Sequence, residues 1–192
     1  MRSERSQGGT AAGFSVESML LEANGLMPNH PHLPVLHYRG VLAVDSGGDP
    51  AAALEALFAR HGWPPRWRDG IYRYHHYHST AHEVLGIAAG TARVMLGGPS
   101  GVEVGAAAGD VLLLPAGTGH CLLAASADLL VIGAYPPGQE PDLCRTAPSA
   151  AMVVRMAALP FPASDPVCGA NGPLMREWRE TVGAEVKLQA LR

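Results

Sequence analysis

Apolar residues fall along this chain in short runs broken by turn residues, and only one stretch has the longer period of a helix. Between Tyr72 and Tyr135 the runs are separated by Gly90-Thr91, Gly97-Gly98-Pro99, Gly109-Asp110 and the turn from Pro115 to Gly119. Short strands at such spacing predict an antiparallel barrel or sandwich. Val111 to Leu114 and Leu129 to Ala134 are apolar throughout, as strands covered on both faces are. Upstream, Ser15 to Glu22 and Leu33 to Val44 read as two more strands, joined by a proline-rich loop from Asn24 to Pro34. The helical stretch starts with Asp49 as N-cap and Pro50 at the first helical position. Leu54, Leu57, Phe58 and His61 follow at i, i+3, i+4 and i+7, Gly62 is placed to end the helix, and its apolar stripe should lie against the outside of the sheet. Val153 to Ala157 reads as a last strand, and Pro173 to Trp178 as the start of a short helix. Residues 1–13 are expected to be a disordered tail, 14–180 one domain with its barrel core at about 70–136, and 181–192 a C-terminal tail.

Composition narrows the class without naming it. A 192-residue chain with 47% hydrophobic residues can bury a sizeable core, but at 6% aromatic the filling must be mostly aliphatic. A net charge of -3 gives no reason to expect nucleic acid or an anionic membrane as partner. No apolar run is long enough to span a membrane, and Met1 to Gly13 lacks the apolar stretch of a secretion signal, so a cytoplasmic location is expected. Cys121, Cys144 and Cys168 are odd in number and form no CxxC, which fits a reducing compartment better than a disulfide framework.

Histidine changes the picture. Of nine in the chain, five lie between His75 and His120. Side chains on an extended strand alternate faces, so His76 and His78 should point one way, together with Tyr72 and Tyr74. A turn through Ser79-Thr80-Ala81 would return the chain so that Glu83 faces the histidine pair across the ladder, with Leu85 and Ile87 on its own side. His120 would arrive from a later strand after the Pro-Gly turn. His82 and His75 are the competitors for a ligand role, and both are expected to face outward. Cys121, next to His120, should face away from the site. Three imidazoles and one carboxylate make a nitrogen and oxygen site suited to a divalent first-row metal.

The fixed spacings extend further. Gly70 precedes His76-Tyr77-His78 by five residues, Glu83 follows after four and Gly90 after six; Gly109 precedes Pro115-Ala116-Gly117 by five, and then comes His120. Across these two motifs the chain resembles the cupin superfamily. One position departs from the pattern: Ala124 stands where the second motif often has Asn, a residue that is not a ligand. The stretch from His76 to Gly86, with Gly133-Ala134-Tyr135-Pro136, Asp165-Pro166-Val167 and Gly172-Pro173-Leu174, is similar to a bacterial single-domain cupin subfamily. The resemblance implies an all-β fold, an antiparallel jelly-roll barrel with one or two flanking helices and irregular N- and C-terminal extensions. It implies one divalent metal per chain on His76, His78, Glu83 and His120, iron first, with manganese, nickel, copper or zinc as alternatives.

Three histidines and a glutamate leave about two positions open on an octahedral ion. That suits an oxygen-activating, dioxygenase-type enzyme acting on a small organic molecule, and equally a metal-dependent isomerase or lyase. A non-catalytic cupin, a sensor or store for a metal or small ligand, is the reading from another class. Four metal ligands argue against a metal-free epimerase of the same fold. Glu83 is the candidate catalytic base as well as a ligand, and Tyr72 and Tyr74 are candidate substrate contacts. Single-cupin chains have sheet edges that need cover, so a homodimer is expected.

Overall fold

The computed structural model describes residues 5–11, 13–43 and 47–178. Ten strands run in chain order: β1 (Arg5–Ala11), β2 (Phe14–Met19), β3 (Val35–Arg39), β4 (Pro65–Asp69), β5 (Glu83–Ala89), β6 (Thr91–Leu96), β7 (Val102–Ala107), β8 (Val111–Leu114), β9 (His120–Ala125) and β10 (Leu130–Ala134). Two helices of eight residues or more accompany them, α1 (Pro50–Arg60) and α2 (Ala150–Ala157). The strands form a seven-stranded sheet in the order β1-β2-β3-β8-β5-β10-β4 and a three-stranded sheet in the order β7-β6-β9, with every pairing antiparallel. The turn spacing predicts the antiparallel strands, and the cupin-like jelly roll they form is the fold that the resemblance implies.

Strand alternation divides the core into two layers. Leu85, Ile87, Val94, Leu112 and Leu122 are buried between the sheets. Leu36, Tyr38, Val84, Leu113 and Ile132 point out of the large sheet into a layer shared with Leu54 and Phe58 of α1, which packs on β5, β10 and β4, and with Leu174 and Trp178. Each of those two α1 side chains is fully buried, worth about 1.5–3 kcal/mol apiece. The helix comes this close because β5 carries Gly86, where a Cβ would sit 2.9 Å from the Phe58 ring. Asp49 Oδ1 accepts from the Ala51 and Ala52 amides at 3.0 and 3.3 Å, and Gly62 turns the chain away at a φ of 77°.

The structure corrects several expectations. Residues 5–11 form β1 on the open edge of β2 instead of a disordered tail; backbone pairing needs no apolar side chains, so a polar, glycine-rich segment can supply it. Residues 1–4 and 179–192, the latter including the expected C-terminal tail, lie outside the described residues. β3 ends at Arg39, because Gly40 adopts a φ of 73°. Val153 to Ala157 is not a strand but the body of α2, capped by Ser149, whose side chain accepts from the Met152 amide. The barrel also reaches beyond 70–136, drawing β1 to β3 and β4 into its large sheet. Among the described residues no helix is long and apolar enough to cross a membrane. Residues 173–178 are helical, as expected.

Candidate metal centre

The histidines gather at one end of the space between the sheets. His120 opens β9, and its backbone bridges that of His76: the His76 amide donates to the His120 carbonyl at 3.2 Å and the His120 amide to the His76 carbonyl at 2.9 Å. Apart from this bridge and one between Tyr77 and Cys144, the segment from Tyr72 to His78 is not a regular strand, and it forms no hairpin with β5. Alternation still holds, because it requires only extended backbone. Tyr77 is fully buried with Met27, Ala116 and Met156, while the rings of Tyr72, Tyr74, His76 and His78 lie in a chain of contacts on the other side. Glu83 begins β5 beside β8 rather than across a ladder from the histidines, and faces inward with Leu85 and Ile87.

Each imidazole is oriented in the same way. The Nδ1 of His76 donates to the Tyr74 carbonyl at 3.1 Å, that of His120 to the Thr118 carbonyl at 3.0 Å, and that of His78 to the Asp142 carbonyl. A main-chain carbonyl at Nδ1 fixes the tautomer and leaves Nε2 as the free lone pair. One ligand nitrogen from each of the three rings lies within 4.8 Å of the other two. Glu83 closes the group: Oε1 is 3.4 Å from His78 Nε2, and Oε2 is 3.3 Å from His120 Nε2. Its Oε2 is buried without a hydrogen-bond partner. An unpaired buried carboxylate oxygen is costly unless a cation completes it, and this donor set fits a divalent ion.

The electrostatics agree. Burial, then His120, pushes His76 down to about 3, so it stands neutral and ready to coordinate. Burial works against charge on His78 too, but Glu83 outweighs it and lifts that imidazole to about 9. Burial would also raise the Glu83 carboxyl, yet His78 and His120 hold it well below the carboxylate range. At neutral pH the pair without metal is therefore an imidazolium and a carboxylate. A metal must displace the His78 proton, so affinity should weaken as pH falls below about 9, by about tenfold per unit for one proton. Competition with a chelating dye across pH measures this; a flat profile from pH 9 to 7 would remove His78 from the ligand set.

Tyr135, absent from the sequence-based candidates, belongs to the site. Its hydroxyl donates to Glu83 Oε1 at 2.8 Å and accepts from Trp67 Nε1 at 2.8 Å. Burial, then Glu83, raises the phenol, which keeps it a donor. The Trp67 ring lies over Gly133, where any Cβ would collide with it, so the glycine is what admits the indole. A signal was available: Val131, Gly133 and Tyr135 share one face of β10 and its continuation.

A cavity of about 360 Å³ opens onto the cluster, lined on its other sides by Trp67, Asp69, Tyr72, Tyr135 and Leu143 among others. Of the two candidate substrate contacts, Tyr72 lines it. Tyr74 does not line it; that ring stacks behind Tyr72 at 4.8 Å, beneath the Arg145 guanidinium. Neither competing histidine joins the cluster. His82 faces away from the space between the sheets but is buried, accepting from the Ala116 amide at 3.0 Å and packing on Trp178. Burial, then His30, holds it at about 3.

Fold and site together define a cupin-like protein whose three clustered histidines can hold a metal ion. The chain is 38% identical over 159 residues to the uncharacterized protein YjlB of Bacillus subtilis (strain 168), a match spanning 81% of this chain and 92% of that protein, and it belongs to the same family. No family model matches. Among solved structures, an oxalate decarboxylase aligns over 73% of this chain at 13% identity and a TM-score of 0.27. Streptomyces albus HEPD, with 2-hydroxyethylphosphonate and Fe(II) bound, aligns over 84% at 13% identity and a TM-score of 0.26. The chain spans 28% of each of those larger proteins, and likeness of that size says nothing about its reaction.

Proposed function

We propose that the protein is a metal-dependent enzyme acting on a small organic molecule, with His76, His78, Glu83 and His120 as ligands of one divalent ion and an oxygen-activating, dioxygenase-type reaction. The observation that carries this reading is the buried Glu83 carboxylate, its Oε2 without a hydrogen bond, set beside His78 and His120 in a cluster of three imidazoles whose Nδ1 atoms are all committed elsewhere. Imidazole-rich sites with a carboxylate suit iron, and we place iron ahead of manganese, nickel, copper and zinc. Bound there, the ion would supply Lewis acidity or dioxygen activation. A protein that only stored metal would have no use for a substrate-sized cavity beside the ligands, which favours the enzyme reading.

The chain's own groups set what else happens. Tyr135 holds Glu83 Oε1 and so turns Oε2 toward His120. Leu143, Tyr72 and Trp67 give the cavity its apolar lining. Glu83 is also placed to accept a proton from a substrate. Metal content after purification, followed by oxygen uptake against enols, thiols and carboxylates, tests the proposal; metal-loaded protein with no turnover on any of them would move it to the binding-protein class. Glu83→Gln separates the two roles of this residue, since an amide can coordinate but is a poor base. Activity is expected to fall by roughly 100-fold or more per bound metal, the scale of a lost general base. Activity that falls only in step with metal occupancy would leave Glu83 a plain ligand.

A further inference from the structure

The lining of the cavity carries a charge pattern that the metal centre does not use. Apart from the histidines, its charged lining consists of Asp69, Glu83 and Asp142, and no lysine or arginine among the described residues lines it. Glu83 is engaged by the histidines and Tyr135. Asp142 is taken up by the Ser79 amide and hydroxyl, both at 2.5 Å, and by Cys144 and Arg155. Asp69 is different. It accepts from the Gly70 amide at 2.8 Å and has no ion-pair partner among the described residues.

Of the cations on neighbouring segments, Arg73 alternates to the other side of the extended chain from Tyr72, toward Cys121, and the rest are committed to other groups. Arg66 makes a two-pronged contact to Glu140, Arg68 pairs with Glu55, Arg145 lies 4.2 Å from the centre of the Tyr74 ring, and Arg155 sits on Ser79 and Asp142. Asp69, itself exposed, shares the cavity lining with the Tyr72 ring, which is 52% exposed and stacked on Tyr74. An anionic group at Asp69 would face a carboxylate with no lysine or arginine in the described lining to offset it. A cation would meet a carboxylate and an aromatic ring, the two partners that stabilise it best.

We infer that the cavity takes a small organic cation, which presents a donor atom to the ion held by the three histidines and places an ammonium group against Asp69 and Tyr72. This rests on the metal site proposed above, and it sets dianionic molecules such as dicarboxylates and phosphonates aside as substrates. The volume of about 360 Å³ lies near the small end of ligand pockets, which suits a compact molecule of this type.

The full chain loaded with Co(II) provides a test that does not depend on turnover. Three thiols of similar reach differ in the charge of their tail: thiocholine is cationic, 3,3-dimethylbutane-1-thiol is its uncharged isostere, and 2-mercaptoethanesulfonate is anionic. Thiol binding is read from the Co(II) absorption bands. The expected order is cation, then neutral, then anion, with the cation about five- to tenfold tighter than the isostere, as for a partly exposed charge contact, and the gap shrinking in high salt. Asp69→Asn should remove that gap and leave the affinity of the neutral thiol unchanged. An anion that binds as tightly as the cation overturns the inference, as does a charge preference that survives Asp69→Asn. Co(II)-loaded protein that binds none of the three overturns it as well. A chain that takes up no Co(II) sinks the metal site itself, so the two failures are distinguishable.

Discussion

Replacing His120 with alanine is expected to lower divalent-metal affinity by roughly 100-fold or more, because loss of even an outer partner of a ligand commonly costs about 10–100-fold. Among the proposed ligands His120 is held from two sides: it opens β9, pairs with Leu96 of β6 and bridges His76 through two backbone hydrogen bonds. Its backbone contacts survive the substitution, so the chain should stay folded. What is lost is one Nε2 and the neighbour of Glu83 Oε2, which is already without a hydrogen-bond partner. Elemental analysis gives the metal content, and thermal unfolding with and without added metal gives the linked stability. Wild-type protein should gain about 2.7 kcal/mol at metal 100-fold above its dissociation constant, and the variant almost none. Stoichiometric metal in the variant would show that the ion sits elsewhere.

Trp178→Ala should produce the largest loss of stability, about 3–5 kcal/mol. The indole is fully buried, donates from Nε1 to the Pro34 carbonyl at 3.0 Å, and packs on His82 with ring centres 4.9 Å apart. It belongs to the core on the outer face of the large sheet. The segment leading to it is fastened by Asp165, whose two carboxylate oxygens accept from the Tyr38 hydroxyl and the amides of Val167, Cys168 and Leu174 at 2.6–2.9 Å. Denaturant unfolding measures the loss. Metal affinity should change little, since the Trp178 layer and the ligands lie on opposite faces of the sheet. A cost under about 1 kcal/mol, the level of a surface substitution, would mean that residues 159–178 do not cover this face in solution.

Much of the architecture was readable in the chain because each legible part follows from a local rule. The N-cap at Asp49, the apolar stripe of α1 and the glycine after it mark the helix to within one residue. The alternation of His76, Tyr77 and His78 yields the facing of the ligands even though no regular strand forms there. Other parts depend on partners that are distant in sequence. β4 starts with proline and reads Arg-Trp-Arg-Asp thereafter; it is a strand because β10 offers it an edge, not because its own pattern demands one. In α2 the adjacent valines favour extended structure, but the Ser149 cap and the Met152 and Met156 pair at i, i+4 fit a helix that lays Met156 against Tyr77. Tyr135 lies 52 residues beyond Glu83, and only the curl of the sheet brings them together.

The three oxygens that aim the imidazoles belong to the peptide backbone of Tyr74, Thr118 and Asp142. A carbonyl is present whatever side chain the residue bears. The aim of the rings is therefore insulated from point mutation at these three positions, as it would not be had carboxylate or amide side chains done the work. Two of the three flank the cavity mouth: Tyr74 backs Tyr72, and Asp142 adjoins Leu143. Descendants of such a protein can drift in what they admit while keeping what they use to react, because the part that sorts molecules and the part that steers the rings share residues but not atoms.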